Sequence, residues 1–442
     1  MRDSKQILLS AILAVVILVG GPGPARANGK ILTLEKVRDL ALDYNRQLLS
    51  ARRELDRASG EIVSARSGAL PRLDLEGRYT RNLTDQELFF GGEKIPISQK
   101  NDFNFSLSLT QPLYVGGKVS SALKIAKIYD RYSREKVREV EHEIIYGAEA
   151  VFYAAILARS RLEVFHKADE QLGYNLEIAE KYYSQGMISE YELLRARVEK
   201  LNIEPQLVAA ESELRVSRKR LKSFLGLSLD EPIELVTDLS DTAAVVLPPL
   251  DSLITLAVNG RPEINQARLQ KRGYDKAVQI ARSDWLYPTL LANASYDWSA
   301  SSDNFSLRRD EKTSSWTASL LLSVPLFDGA RSIGEVRKAK VDYYQAVLNE
   351  QQQYDDVRLE VEQAFDNLIM TRKALQLQSE TIAQAEEGMR IADLRYESGV
   401  GTQLEVLSAQ TALTQARTQL AETVYSYRLA RSALKKATGY EF

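Results

Sequence analysis

The chain contains no cysteine and only two histidines in 442 residues. A protein of this kind has no disulfide frame, no thiolate metal site and no N-terminal lipid of the sort a cysteine carries, so it must hold together by packing alone. His142 and His166 lie among helix-forming residues, far from any Ser/Asp constellation, which leaves them as packed or solvated side chains. Phosphate loops are missing too, because Gly91-Gly92 and Gly116-Gly117 lack the following Lys-Ser/Thr. Nothing nominates a catalytic, cofactor-binding or metal-binding residue, and no feature points to an enzyme.

A membrane-length apolar helix is also lacking. The apolar run Ile7 to Val19 spans 13 residues, short of the roughly 20 that cross a bilayer. Arg2 and Lys5 precede it and Ala25-Arg26-Ala27 follows, so residues 1–27 read as a signal peptide, with a retained anchor as the competing reading. Without Arg2, Lys5, Arg26 and Asp3 the mature chain keeps 55 basic and 59 acidic residues, a net charge of −4. No basic excess is left to favour nucleic acid.

What the chain does have is a repeat. Ala179/Ala392, Tyr183/Tyr396, Gly186/Gly399, Glu192/Glu405, Leu194/Leu407 and Ala196/Ala409 all pair at one spacing of 213 residues. Two copies of one unit follow: a first repeat over 28–226, a linker or small belt element over 227–250, and a second repeat over 251–442. Gly186 and Gly399 interrupt helix-forming sequence where a helix could end in a left-handed conformation, so each is expected to be the turn of a helical hairpin.

Each unit opens with a helix. Thr33 to Leu70 reads as one, with Thr33 as cap, Glu35 in the first turn and Pro71 as the stop; Asp251 to Tyr287 is its counterpart, stopped by Pro288. The period then changes to two. Strands are expected at about 72–84 and 101–113, and again at about 288–299 and 315–326. Leu73, Leu75, Gly77 and Tyr79 alternate with Asp74, Glu76, Arg78 and Thr80, and the other three stretches alternate likewise except at Leu291 and Leu321. A half-buried sheet of ordinary kind gives this pattern as well as a membrane barrel does. Trp285, Trp298 and Trp316, the three tryptophans, lie in or beside these strands, as side chains at membrane interfaces would. Polar loops, Asp85 to Lys100 and Ala300 to Ser314, join the strand pairs and should face outward. Pro112 and Pro325 are expected to close the strands, and Gly116 and Gly329 to bend the chain into helix.

The helices that follow are long. Ile144, Ala148, Val151, Ala155, Ala158, Leu162 and Phe165 step by four and three, and Val357 to Gln378 repeats the steps, which is a coiled-coil seam. Lys118 to about Tyr183 contains no proline, and a continuous helix of that length approaches 100 Å at about 1.5 Å per residue. Ala409, Ala412 and Ala416 are expected to allow close packing on the return helix.

Four strands cannot close a membrane barrel, since barrels begin at about eight and open edges cannot face lipid. Several chains must share one. Three give twelve strands in a C₃ ring; two would give eight around a much narrower bore.

The order helix, strand, loop, strand, Pro-Leu-aromatic-x-Gly, long helix and Tyr-x-x-Gly turn, twice over, resembles the TolC-type outer-membrane efflux proteins across about Thr33 to Gly439. Pro112-Leu-Tyr-Val-Gly and Pro325-Leu-Phe-Asp-Gly carry the barrel-to-helix joints, and Tyr183 to Ala196 and Tyr396 to Ala409 the tips. The resemblance implies an α+β membrane protein of a Gram-negative bacterium: a homotrimer with a twelve-stranded outer-membrane barrel, continued by a helical periplasmic tunnel and an equatorial belt. It also implies a tip that docks a periplasmic adaptor and an inner-membrane transporter driven by protons or ATP. The absent cysteine matches the unlipidated branch.

The resemblance further implies a periplasmic gate. Glu405 aligns with an acidic gate position, Ser408 stands where a second aspartate is usual, and Glu192 and Tyr396 align with a carboxylate and a tyrosine that link the hairpins. Gly401 stands where a linking arginine would be, so that tie is absent or replaced. Three Glu405 carboxylates near one axis would attract cations and resist full closure. Solvated surface charge is the other reading of Glu192 and Glu405.

The expected function is passive export through the exit duct of a tripartite efflux or type I secretion system. A structural or adhesive coiled-coil protein would explain the heptads but not the duplicated amphipathic strands. Cargo is not written in the frame.

Overall fold

The computed structural model describes residues 30–84, 87–96, 99–236, 247–303, 305 and 312–440. The signal segment lies outside the described residues, as do parts of both outer loops and of the linker. The elements run β1 (Lys30–Leu32), α1 (Leu34–Tyr44), α2 (Arg46–Ser67), β2 (Arg72–Arg81), β3 (Glu87–Phe90), β4 (Glu93–Pro96), β5 (Asn101–Val115), α3 (Lys118–Ser184) and α4 (Glu190–Phe224). The second half continues with β6 (Ile233–Leu235), α5 (Leu250–Gly260), α6 (Pro262–Leu286), β7 (Thr289–Ser302), β8 (Lys312–Ser323), α7 (Arg331–Glu397) and α8 (Gln403–Thr438).

β2, β5, β7 and β8 form one antiparallel sheet in that order. Its register lines up the alternation seen in sequence. Leu75, Leu107, Tyr296 and Trp316 make one cross-strand row, and Leu73, Leu109, Ala294 and Ala318 the next. The rows between are polar: Asp74, Ser108, Ser295, Thr317, then Glu76, Ser106, Asp297, Ser315. Leu291 and Leu321, the two exceptions in the pattern, are direct partners. Among the described residues no helix stacks on the apolar face, where Leu75 is 74% and Trp316 78% exposed. An ordinary half-buried sheet would be covered there; this one presents an apolar face to its surroundings. Trp298 packs on Phe105 near the loop end, while Trp285 stands half exposed near the helical end.

Three local expectations are corrected. Thr33 does cap α1, accepting from the Lys36 N–H at 3.3 Å, but the opening helix is two helices with a break at Asn45 (ψ 125°). Asp251 to Tyr287 breaks likewise at Arg261 (ψ 129°), followed by Pro262 as the first residue of α6. Pro112 does not close its strand: β5 runs on to Val115 with a register shift between Pro112 and Tyr114. Past Gln111, β5 has lost β2 as a neighbour, so the missing N–H costs no ladder bond on that side. The first polar loop contains its own small hairpin, β3 with β4, turning on Gly91 (φ 66°) and Gly92 (φ 92°).

The breaks have a tertiary cause. Asn45 caps α2 through the Gln47 N–H at 2.9 Å, and its amide donates to the Phe224 carbonyl at the end of α4 (3.1 Å). Arg261, 4% exposed, donates to the Lys436 and Ala437 carbonyls at the end of α8 (3.2 and 3.0 Å) and to Glu263 and Glu360. Burial pushes the Glu263 carboxyl up, but the Arg261 hydrogen bond and charge outweigh it and hold the pKa below its ordinary value. Each break therefore ties an entering helix to the last turn of a returning one.

α3 and α7 each span 67 residues, about 100 Å at about 1.5 Å per residue. Both start after two left-handed residues, Gly116 and Gly117 (φ 64° and 75°) or Gly329 and Ala330 (φ 68° and 67°). The seams are buried: Ile144, Ala148, Ala155 and Ala158 on α3, Val357, Val361, Leu368 and Leu375 on α7. Ala416 is buried and Ala409 half-buried, whereas Ala412 faces out. Where the first helices meet the long ones, each half has its own core, Val37, Leu48, Phe152 and Leu221 in one, Leu253, Ile264, Val361 and Leu434 in the other. β6 pairs in parallel with β1 beside the first core.

One order of four columns holds at every height. The sheet reads β2, β5, β7, β8; the upper helices α2, α3, α6, α7; the lower helices α4, α3, α8, α7. Free edges therefore fall on β2, α2 and α4 at one side and on β8 and α7 at the other.

Candidate functional site: the tip of the helical hairpins

Both hairpins turn on a left-handed glycine, Gly186 (φ 71°) and Gly399 (φ 75°). In the first, the Gly186 and Met187 N–H groups reach the Tyr183 and Tyr182 carbonyls, both at 2.9 Å, which satisfies the last turn of α3. In the second, the Val400 and Gly401 N–H groups both reach the Arg395 carbonyl, at 3.0 and 2.8 Å. A Cβ on Gly401 would lie 2.9 Å from Arg395 backbone and side-chain atoms, so no arginine fits at that position without moving the turn.

The return helices start differently. Ser189 caps α4, accepting from the Glu192 N–H (3.3 Å), and the Glu192 carboxylate reaches back to the Ser189 N–H (3.0 Å). This is a reciprocal capping box, so Glu192 serves its own helix. Thr402 accepts from the Glu405 N–H at 3.3 Å, but the Glu405 carboxylate turns instead to Arg395 Nε at 3.2 Å. Ser408 is exposed one turn above Glu405 on the same face of α8.

Tyr396 is the buried member, 6% exposed, and its hydroxyl has no hydrogen-bond partner among the described residues. Its ring packs at a tilt of 56° against Tyr182 of the other hairpin, centroids 5.7 Å apart, in a cluster with Ile178, Met389, Ala392 and Val406. Burial raises the Tyr396 pKa, with the Glu192 charge adding to it, so Glu192 is felt electrostatically without a hydrogen bond. The hydrogen-bonded links between hairpins belong to residues that sequence reading passed over: Tyr182 donates to the Glu397 carbonyl (3.3 Å) and Tyr174 to the Glu397 carboxylate (3.2 Å). Asp393 lies half-buried one turn before Glu397, its pKa raised by burial and then by that neighbour. Tyr182 and Arg395 stand 213 residues apart, and their unlike side chains were the available signal.

Above this cluster a cleft of about 650 Å³ opens between α3, α4 and α8, lined on its polar side by Asn202, Gln206, Gln410, Thr411, Thr414 and Thr418. No helix among the described residues is long and apolar enough to cross a membrane.

A family model described as Outer membrane efflux protein matches residues 37–227 and 253–440, nearly all of the described chain. The chain belongs to the outer membrane efflux protein family. Its place is the outer membrane, with the helical hairpins in the periplasm, and its general task is efflux or secretion. The chain is similar to Outer membrane protein TolC of Vibrio cholerae, 22% identical with 92% of this chain and 90% of that protein covered. Similar, too, is the cobalt-zinc-cadmium resistance protein CzcC of Cupriavidus metallidurans, at 24% with 89% and 86% covered. The fold matches that of the Campylobacter jejuni CmeC outer membrane channel with a TM-score of 0.76, at 21% identity over 92% of this chain and 85% of that one.

Proposed function

We propose that this efflux protein is the exit duct of a tripartite efflux or type I secretion system, built as a homotrimer in which two copies of one unit per chain line a shared passage. The observation that carries the reading is the open sheet with its uncovered apolar face and the single column order that continues from it through the upper and lower helices. Sheet edges are not tolerated in hydrocarbon, so β2 of one copy needs β8 of the next, and three copies close a twelve-stranded ring. The helical edges support the same join. On α4 the exposed Tyr191, Leu194, Val198, Leu201 and Val208 follow steps of three, four and seven, and on α7 Met370, Leu377 and Ile391 lie at multiples of seven. Apolar stripes at heptad spacing on opposite edges suit a head-to-tail ring.

Solutes would pass through the bore, and the chain itself supplies no energy. A periplasmic adaptor at the Gly186 and Gly399 turns and an inner-membrane transporter, proton-driven or ATP-driven, would deliver cargo. Glu405 and Ser408 would face the constriction, with Tyr396 and Glu192 in the wall behind them. Detergent-solubilised protein should have the mass of a trimer and conduct ions in planar bilayers; a stable monomer sinks the reading. Crosslinkers placed at Met187 and Val400 should capture the adaptor, and capture only from barrel positions would move the docking site elsewhere.

A further inference from the structure

The two hairpin ends diverge most at Tyr182 and Arg395. Tyr182 faces the other hairpin, whereas Arg395 turns back across its own turn to Glu405. Both members of the ion pair are about half exposed, 51% and 44%, so water screens it and it is a poor clamp. Its consequence is charge. Asp393 and Glu397 lie two residues either side of Arg395, which turns them about 200° away around α7, and Tyr174 holds Glu397 on that far side. Above the pair, α8 carries no charged residue from Val406 to Ala416, while the matching stretch of α4 holds Arg195, Arg197, Glu199 and Lys200. The next charges facing each other across this hairpin, Glu386 and Arg417, are themselves paired at 3.1 Å.

We propose that Arg395 is a selectivity-determining residue of the duct, its guanidinium cancelling the Glu405 carboxylate so that the constriction passes anions about as readily as cations. The proposal rests on Glu405 lining the bore. Three bare carboxylates near one axis would draw cations, but three close ion pairs leave only dipoles, whose field fades across a bore. Ser408 adds a hydroxyl one turn up where a second carboxylate would have restored the charge. Negatively charged cargo therefore meets no electrostatic barrier on entry.

Reversal potentials across a planar bilayer under a KCl gradient test this, with salt near 0.1 M so that each charge is still felt over about 10 Å. The unmodified channel should be close to unselective. Arg395→Gln should raise cation over anion permeability severalfold, Arg395→Lys should leave it unchanged, and the double variant Arg395→Gln, Glu405→Gln should return it to the starting ratio. The proposal is overturned if Arg395→Gln has no effect while Glu405→Gln shifts the channel toward anions, or if the unmodified channel is already strongly cation-selective. If Glu405→Gln also leaves the ratio untouched, the carboxylate is off the path, and the bore-lining reading fails first and takes the proposal with it.

Discussion

The two halves of the chain solve one joint with different chemistry. At the break in the opening helix, Asn45 makes a cap and a single bond to the end of α4, while Arg261 inserts a buried guanidinium among two carbonyls and two carboxylates at the end of α8. The backbone does the same thing at both places. The side chains differ in what they would leave behind: an amide's absence costs a cap, whereas the arginine's absence leaves two carbonyls and the partly buried Glu263 without their donor.

Arg261→Ala should therefore give the largest loss, about 3–5 kcal/mol, because two carbonyls at the end of α8 lose their donor and the partly buried Glu263 its partner. Asn45→Ala should cost about 1–2 kcal/mol, the range of an N-cap. Denaturation followed by helical circular dichroism reads both, and equal losses would erase the distinction between the joints. The sheet-to-helix bends sharpen the contrast further. A Cβ on Gly116 would meet the Tyr287 Cβ at 2.9 Å, while around Gly329 there is open space. Gly116→Ala should cost about 2–4 kcal/mol from left-handed strain plus the clash, and Gly329→Ala only the strain, about 1–2 kcal/mol.

Much of this frame could be read in advance. Each of the four stretches with period two lies in the sheet, and the glycines at 186 and 399 adopt the left-handed turn that helix-breaking residues amid helix formers suggest. The helix breaks differ in this respect. Pro262 is a local signal for the break at Arg261, since proline disfavours helix at the residue before it, whereas the break at Asn45 is set by a carbonyl 179 positions away and leaves little local trace in a helix-forming sequence. Pro112 was misread because its strand loses a neighbour just there, a fact of pairing rather than of the residue. At the tip, aligning Glu192 with Glu405 hid that one closes a capping box and the other an ion pair; only the unlike residues opposite them, Tyr182 and Arg395, carried the difference.

Smaller effects separate the tips. Ser189→Ala should cost about 1 kcal/mol or slightly more, since a reciprocal box is lost, and Thr402→Ala about half that, since Glu405 is engaged elsewhere. Protease sensitivity at each turn should rise in the same order. The smallest effect concerns His142, whose counterpart 213 residues on is Asp355. Burial, and then the Arg138 charge, hold the His142 pKa below its ordinary value, so the folded protein prefers the neutral ring. The resulting stability is complete above about pH 6.5 and is lost as pH falls through the lower folded value. His142→Gln should flatten that acid limb of a melting-temperature profile; an unchanged limb would assign it to other groups.

In the proposed ring, the open sheet also dictates an order of events in biogenesis. A lone chain entering hydrocarbon would carry two rows of unpaired peptide groups along β2 and β8, at several kcal/mol for each group left unsatisfied. It cannot wait there for companions. The copies must find one another first, and the place available is the aqueous compartment below, where heptad stripes on α4 and α7 can zip while the strands are still wet. Insertion would then be a collective act of that ring, and a substitution that weakens the stalk should show up as a missing pore.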